Sequence, residues 1–198
     1  MLLTQLSLRP NALLPTEHGE FQIYSIDSGV EGQPHIVLIP RNRLIIEPCL
    51  LRIHSECVTG EVFLSQRCDC GYQLGESMEL IHKEGGILIY LRQEGRGIGL
   101  DNKIKAYALQ DDGMDTIEAN HKLGYASDER NYQIAVDILK EVMISSVRLI
   151  TNNPLKIDFL VKNNIQVVET ISIIKPKDIY NESYMRTKRD KMGHLIPE

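Results

Sequence analysis

The sequence predicts an α/β (α+β) fold, in which a mixed β-sheet is flanked by helices within a single domain. Its length of 198 residues is typical of one domain that buries its own core. Its composition, with 25% charged and 42% hydrophobic residues, is that of an ordinary globular protein and excludes disordered and collagen-like chains. In the second half, short apolar runs alternate with amphipathic segments, which is typical of strand–helix–strand units.

Strands are predicted wherever short apolar runs are bounded by turn residues. Residues 21–26 and 35–39 form two such runs on either side of a turn that contains Gly29 and Gly32. Residues 44–57 carry further apolar runs and are predicted to be strand. The continuous apolar run at 87–91 indicates a buried strand. Two more strands are predicted at 147–151 and 165–168.

Four helices are predicted from apolar residues three or four positions apart. In chain order, their apolar faces are formed by Leu74, Met78 and Ile81; by Ile104 and Ala108; by Ile134, Ile138, Leu139 and Val142; and by Ile157, Leu160 and Val161. Glycines at 85–86 and 113 end the first two helices. Asn153-Pro154 begins the last one, with a capping residue followed by proline at the first helical position.

Charge and hydropathy exclude several classes of protein. The net charge of −5 argues against a nucleic-acid partner, because backbone binding needs clustered positive charge. No apolar run approaches the length of a membrane span, so no membrane partner is expected. Residues 1–5 lack a basic, apolar leader, which predicts a cytoplasmic protein. Residues 175–198 are polar and charged and are expected to form a loosely packed tail.

The four cysteines are concentrated in one part of the chain. In a protein without a secretory signal they are not expected to form a disulfide framework. Cys57, Cys68 and Cys70 supply three thiolates, which suit zinc. Three protein ligands leave a fourth position for water, whose pKa a zinc ion lowers to about 7. The single domain is therefore predicted to carry a zinc-bearing loop, in which Gly71 permits the turn that brings Cys68 and Cys70 together.

Two other interpretations of these cysteines stay open at this point. Cys49 or His54 could complete a closed site with four protein ligands, although Cys49 lies in an apolar run typical of a core strand. Alternatively, the three cysteines could be buried, reduced core residues, since free cysteine is a common core residue.

Several longer motifs occupy the middle of the chain. They are HSECVTG at 54–60, RCDCGYQL at 67–74, RQEGRGIGL at 92–100, AYALQD at 106–111, DTIEAN at 115–120, DER at 128–130 and TNNP at 151–154. From Arg52 to Lys156, this ordered series resembles the GTP cyclohydrolase II family. The resemblance implies an enzyme of riboflavin biosynthesis that hydrolyses GTP to 2,5-diamino-6-hydroxy-4-(5-phosphoribosylamino)pyrimidine, formate and pyrophosphate. It also implies a homodimer, and the length leads us to expect the stand-alone form.

The resemblance implies roles for individual residues. Zinc is assigned to Cys57, Cys68 and Cys70. The implied GTP contacts are Arg52, Ile53, His54, Ser55, Glu56, Gln73, Glu94, Gly95, Arg96, Thr116, Thr151 and Lys156. For pyrophosphate release, Arg130 is implied as the nucleophile and Asp128 as its proton acceptor. Tyr107 is implied next to the guanine ring, as a donor of a hydrogen bond or proton. Mg²⁺ is expected to accompany the triphosphate and the released pyrophosphate.

Physical chemistry offers alternatives for some of these roles. A guanidinium stays protonated in proteins, so Arg130 could instead stabilise the leaving pyrophosphate, or simply pair with Asp128 at a helix start. Tyr107 could pack in the core beside Ile104 and Ala108. The segment 94–99 looks like a glycine-rich phosphate loop, but it lacks the full Gly-x-Gly-x-x-Gly pattern.

Two other functions compete with the hydrolase. The first is a zinc-stabilised nucleotide-binding module without turnover, which requires a fourth protein ligand on the metal. The second is a nucleobase deaminase, whose His-x-Glu and Pro-Cys-x-x-Cys signature is absent from this sequence.

Overall fold

Seven strands form one mixed sheet in the computed structural model, which describes residues 9–176 together with 186, 187, 189, 190 and 193. The strands are β1 (Asn11–Thr16), β2 (Gly19–Ile26), β3 (His35–Pro40), β4 (Cys49–Ser55), β5 (Ile87–Leu91), β6 (Ser146–Ile150) and β7 (Gln166–Ile171). Their order across the sheet is β1-β2-β3-β5-β4-β6-β7. The pairs β1–β2, β2–β3 and β3–β5 are antiparallel. Strands β5, β4, β6 and β7 run parallel to one another. The predicted mixed sheet is confirmed.

Six helices have their bounds between residues 9 and 176. They are α1 (Val58–Glu61), α2 (Cys70–Glu84), α3 (Gly99–Asp111), α4 (Thr116–Lys122), α5 (Gln133–Glu141) and α6 (Pro154–Lys162), and a 3-10 turn spans Glu94–Gly97. The predicted start of α6 is confirmed, since the Asn153 side chain accepts a hydrogen bond from the Leu155 amide and Pro154 is the first helical residue. Among the described residues, no helix has both the length and the apolar character needed to cross a membrane.

The central strands are buried on both faces, and their side chains alternate between two cores. Leu51 and Ile53 of β4 belong to the core that packs against α5 and α6. Leu50 belongs to the other core, where Ile81 of α2 is buried. Arg52 of β4 has the same parity as Leu50, so it lies on the α2 side of the sheet although it is charged.

Two predicted features of the fold need correction. Strand β4 covers only the last part of the predicted run 44–57, because Leu44 and Ile46 are 81% and 71% exposed and precede the chain's entry into the sheet. In α3 the predicted apolar face is exposed at Ile104 and Ala108, whereas Lys103 and Ala106 are buried. The reason is that α3 packs its inner face against a polar cavity rather than a hydrophobic core.

The sequence did not predict β1, α1, α4 or the 3-10 turn. Strand β1 is an edge strand with no regular burial alternation, so it lacks the period-2 signal. Helix α4 is short, and its clearest sequence signal is the capping box formed by Asp115 and Glu118. Most of the predicted tail, 175–198, and the N-terminal residues 1–5 lie outside the described residues.

Candidate functional site

The candidate site lies where three parallel strands end. The chain leaves β4 at Ser55, β5 at Leu91 and β6 at Ile150, and these carboxyl ends lie on the same edge of the sheet. In α/β sheets, ligands bind beyond the carboxyl ends of the strands. Here the three following loops, with α3 and α4, line a cavity that is open to solvent.

The cavity brings together most of the residues predicted from the sequence. All of them line it except Ile53 and Asp128. The Ile53 side chain points into the hydrophobic core, and only its carbonyl faces the site, where it accepts a hydrogen bond from Lys156 Nζ at 2.7 Å. The sequence analysis assigned no role to seven further lining residues: Ile98, Lys103, Ala106, Gln110, Asn120, Asn152 and Asn153.

Three thiols meet at one end of this cavity. Cys57 precedes α1, and Cys68 and Cys70 lie at the start of α2. This placement brings Cys57 close to Cys68, which follows it by eleven residues. Their Sγ atoms lie within 4.8 Å of one another, and those of Cys57 and Cys68 are 3.7 Å apart. A tetrahedral zinc site with Zn–S bonds of about 2.3 Å has S–S edges of about 3.8 Å. The cluster therefore fits such an ion.

Neither of the two rival fourth ligands belongs to this cluster. Cys49 begins β4 and is buried in the hydrophobic core, where burial raises the pKa of its thiol to about 12. His54 Nε2 lies 2.8 Å from Glu61 Oε1, and its ring is directed to that carboxylate. Among the described residues, the thiol cluster thus offers three protein ligands.

The three thiols differ in their readiness to ionise. Hydrogen bonds from Cys68 and Cys70, followed by the charge of Lys103, lower the pKa of Cys57. The hydrogen bond to Cys57 raises the pKa of Cys68 to about 11, and the pKa of Cys70 is raised for the same reason. Because metal ligands must be thiolates, a metal ion bound by these residues would release protons from the cluster.

Gly60 allows the thiols to approach one another. A Cβ at this position of α1 would lie 2.7 Å from Cys68 Sγ and 3.3 Å from Cys57 Sγ. We expect Gly60→Ala to lower the free energy of unfolding by about 1–3 kcal/mol, the usual cost of overpacking. Urea denaturation measures this. Gly75→Ala in α2 is the control, since its Cβ would meet only the imidazole of His18. An equal loss in both variants would contradict this packing argument.

A buried network ties the Cys57 loop to the sheet. Arg52 Nη2 donates to Gln73 Oε1 at 2.8 Å and lies 3.2 Å from His54 Nδ1. Because the guanidinium is only a donor, Nδ1 of His54 accepts and its Nε2 carries the proton that Glu61 accepts. Burial lowers the pKa of His54 to about 4 and that of Arg52 to about 10, so near neutral pH the imidazole is neutral and the guanidinium charged.

Glu61 is the centre of this network. Its Oε1 also accepts from the Cys57 amide at 2.8 Å, and its Oε2 accepts from the Tyr90 hydroxyl at 2.5 Å. The carboxylate therefore fixes the backbone of Cys57 against β4 and β5. Glu61 was not predicted as a site residue, and only its position in α1, four residues after Cys57, could have indicated this role.

The cavity is also rich in cations. The four contributed by separate segments are Arg52, Arg96, Arg130 and Lys156. Arg130 and Lys156 both lie near the ring of Tyr132, at 5.8 and 5.4 Å from its centroid. Thr151 Oγ1 accepts from the Asn153 amide, and Thr116 begins α4 at the cavity wall. The strand ends thus gather positive charge that is dispersed in the sequence.

Arg130 and Asp128 form a bidentate ion pair. Nε and Nη2 of Arg130 donate to the two carboxylate oxygens of Asp128 at 2.8 and 2.5 Å. Burial alone would raise the pKa of Asp128, but the hydrogen bonds and charge of Arg130 lower it below the usual value. The pair precedes α5, which begins at Gln133, and only Arg130 lines the cavity. This geometry fixes the plane of the guanidinium.

The turn after β5 brings Arg96 to the cavity. Gly95 and Arg96 both have left-handed backbone conformations, with φ of 62°. This conformation is costly for arginine and is maintained by tertiary contacts. One such contact is the hydrogen bond from the Glu129 amide to the Arg96 carbonyl at 3.0 Å. The segment is therefore a strained turn rather than the open glycine-rich loop suggested by its sequence.

The remaining predicted residues have partners inside the protein. Glu56 accepts from Arg92 Nη1 at 2.5 Å, and Ser55 Oγ accepts from Gln93. Tyr107 lines the cavity with its hydroxyl 3.5 Å from Thr59 Oγ1, and Arg67 lies over its ring. The alternative of core packing is wrong for Tyr107, because both helix neighbours proposed for it, Ile104 and Ala108, are exposed.

Comparisons with known proteins give one consistent family. The sequence model described as GTP cyclohydrolase II matches residues 8–172. The chain is 52% identical to the GTP cyclohydrolase-2 of Buchnera aphidicola subsp. Schizaphis graminum over 93% of this chain and 95% of that protein. It is 48% identical to the GTP cyclohydrolase-2 of Enterobacter sp. strain 638 over 98% of this chain and all of that protein. It is also 48% identical to the riboflavin biosynthesis protein RibBA of Bacillus cereus, over 92% of this chain and 46% of that protein.

Proposed function

Because this chain belongs to the GTP cyclohydrolase II family, we propose that its cavity binds GTP with the guanine at the thiol cluster and the triphosphate at the cationic end. The family predicted from the sequence motifs is confirmed. The chain is an enzyme, a hydrolase acting on GTP in riboflavin biosynthesis. The products that we propose are formate, pyrophosphate and 2,5-diamino-6-hydroxy-4-(5-phosphoribosylamino)pyrimidine.

One observation supports this proposal most strongly: a single cavity is lined both by the three clustered thiols and by four cations from separate segments. Opening the guanine imidazole ring requires water to attack C8, and releasing pyrophosphate requires charge stabilisation at the phosphates. A GTP molecule that spans the cavity presents its two reacting ends to these two groups of residues at once.

Zinc is the metal that we propose for Cys57, Cys68 and Cys70, because three thiolates in tetrahedral spacing suit this ion. When bound, it supplies hydroxide at neutral pH by lowering the pKa of a coordinated water to about 7. Tyr107 faces the same space and can donate a hydrogen bond or a proton to the opening ring. A three-thiolate cluster also supports a hydrolase over a binding module with a closed metal site.

The phosphates are proposed to bind the cations that line the cavity, together with Mg²⁺. Arg52, Arg96 and Arg130 provide planar donors, and Lys156 provides a point charge. Three buried amide groups at the same cavity support ligand binding: Asn120 Nδ2, Asn152 Oδ1 and Asn153 Nδ2 have no hydrogen-bond partner within the described structure. Buried polar groups are normally paired, so a polar ligand would satisfy them.

The proposed function is tested by incubating the purified protein with GTP and Mg²⁺ and measuring three products in one reaction. We expect formate, pyrophosphate and the diaminopyrimidine in equal amounts. A matched reaction after removal of zinc with a chelator should yield no formate. Conversion of GTP to a product that retains C8, with zinc bound, would contradict the proposed reaction.

We also propose a homodimer in the cytoplasm. All four cysteines are free thiols, which are maintained in a reducing compartment. Five apolar side chains are 39–76% exposed on α3 and the segment after α1: Val62, Phe63, Leu64, Leu100 and Ile104. The segment lies beside α3, because Thr59 contacts Tyr107 and Arg67 pairs with Asp111. A second copy would remove this apolar surface from water.

Ile104→Glu is expected to convert the dimer to a monomer, because it introduces a charge into this apolar surface. Light scattering after size-exclusion chromatography measures the mass. Lys105→Glu, on an exposed part of the same helix, is the control and should stay dimeric. A wild-type protein that is monomeric at all concentrations would overturn the proposal.

A further inference from the structure

We propose that Lys103 is a positioning residue of the metal centre, which holds the Cys57 thiolate in its ligand orientation and offsets part of the cluster's negative charge. The inference rests on the proposed function, since it requires that the three thiolates hold a metal ion. Lys103 lies on α3 one turn before Tyr107 and is 8% exposed. Burial of an ammonium group is unfavourable unless it is paired and hydrogen-bonded.

The ammonium group has three acceptors inside the protein. Lys103 Nζ donates to Cys57 Sγ at 3.1 Å, to Thr59 Oγ1 at 2.9 Å and to Glu94 Oε1 at 2.8 Å. A lysine has three N–H donors, so these contacts use its full capacity. The side chain therefore has no donor left for a substrate atom, although it lines the cavity.

Glu94 completes this arrangement from the other side of Cys57. Its Oε2 accepts from the amide of Val58, the residue after Cys57, at 2.6 Å. Its Oε1 accepts from Lys103 and, at 2.7 Å, from the amide of Gly95. Cys57 is thus held at its sulfur by Lys103 and at the following peptide by Glu94. The carboxylate of Glu94 has its partners in the protein, which supports a positioning role for it in place of the predicted GTP contact.

The position of Lys103 also affects the charge of the metal centre. Three thiolates around a divalent cation leave one net negative charge in a cavity that must also admit a triphosphate. The ammonium of Lys103 offsets part of this charge, and its hydrogen bond fixes the orientation of the Cys57 sulfur. Residues that orient metal ligands raise metal affinity.

The test compares Lys103→Met with Lys103→Arg and Lys105→Met. Methionine keeps the length of the side chain but removes the charge and donors. Lys105 is the matched control, since it lies on the same helix and is exposed with an ion pair to Asp101. Zinc affinity is measured by competition with a chelator, and the cobalt-loaded proteins report the energy of the thiolate-to-metal charge-transfer bands. Circular dichroism checks the fold.

We expect zinc affinity to fall about 10–100-fold in Lys103→Met, in line with other residues that orient metal ligands. The cobalt bands should shift, Lys103→Arg should recover part of the affinity, and Lys105→Met should match the wild type. If Lys103→Met does not fold, Glu94→Gln provides the second variant and should show a smaller loss of affinity with a shifted cobalt spectrum.

The outcomes separate the inference from the proposed function. Unchanged affinity and cobalt spectrum in Lys103→Met, with zinc bound by the wild type, would overturn the inference alone. A raised KM for GTP with unchanged zinc affinity would likewise overturn it and assign Lys103 to the substrate. Absence of zinc binding by the wild type would overturn both the metal site and the inference.

Discussion

Cys70→Ser is expected to abolish formate release while the protein stays folded. Cys70 begins α2 and supplies one of the three clustered thiolates. A serine hydroxyl is not ionised near neutral pH, so the variant should lose the metal and with it the supply of hydroxide for ring opening. We expect formate production to fall at least about 10³-fold, because uncoordinated water has a pKa of about 15.7 rather than 7.

The same variant should retain slow cleavage at the phosphates. Arg130 is held by Asp128 rather than by the cysteine loop. We therefore expect GTP to be hydrolysed slowly to GMP and pyrophosphate. Of the four cations, Arg52 is linked to the thiol loop, because it donates a hydrogen bond to Gln73, which lies one turn after Cys70 in α2.

Zinc content, formate and pyrophosphate measured on one preparation decide this prediction, with circular dichroism as the check on folding. Cys49→Ser is the matched control, because Cys49 lies in the core and outside the cluster. It should keep zinc and formate release. Formate from a folded, metal-free Cys70→Ser protein would refute the zinc assignment. Loss of both products would show that the two reactions are coupled.

Arg130→Lys is expected to reduce pyrophosphate release by about 10²–10³-fold, the usual effect of removing one donor that stabilises developing charge. Lysine keeps the positive charge but cannot form the two parallel bonds that Nε and Nη2 make to Asp128. The charge would then no longer be fixed at the phosphates. Zinc content should be unchanged, since Arg130 is not among the thiol cluster's contacts described above.

Arg148→Lys is the control for this experiment. Arg148 also pairs with two carboxylates, Glu84 and Glu169, but does not line the cavity. It should leave both products unchanged. Wild-type turnover by Arg130→Lys would exclude both roles suggested for this arginine. A guanylyl adduct on Arg130, detected by mass spectrometry after rapid quenching of the wild type, would favour the nucleophile over charge stabilisation.

The contribution of the Asp128–Arg130 pair to folding stability also depends on pH. The pKa of Asp128 is lower in the folded protein than its ordinary value, so the folded state favours the ionised carboxylate. The pair stabilises the fold above the ordinary pKa of about 4, and this contribution is lost as the pH falls through the folded pKa.

The sequence determined the fold class and the family. Apolar periodicity and capping residues fix local structure, so α5, α6 and the buried strand β5 could be predicted from short segments alone. The ordered motifs from Arg52 to Lys156 identified the family, and nearly all residues taken from them line one cavity.

Only the tertiary structure decided which groups work together. Lys103 lies between two of the quoted motifs. Its spacing from Ala106, Tyr107 and Gln110 is that of one helical face, but only the tertiary structure shows that α3 directs this face into the cavity. Glu61 and Glu94 acquire partners up to 36 residues away. Hydrogen bonds of this kind depend on strand order and on the packing of loops at one sheet edge. Neither is encoded in the local periodicity of the chain, which is why these residues could not be assigned before the fold was known.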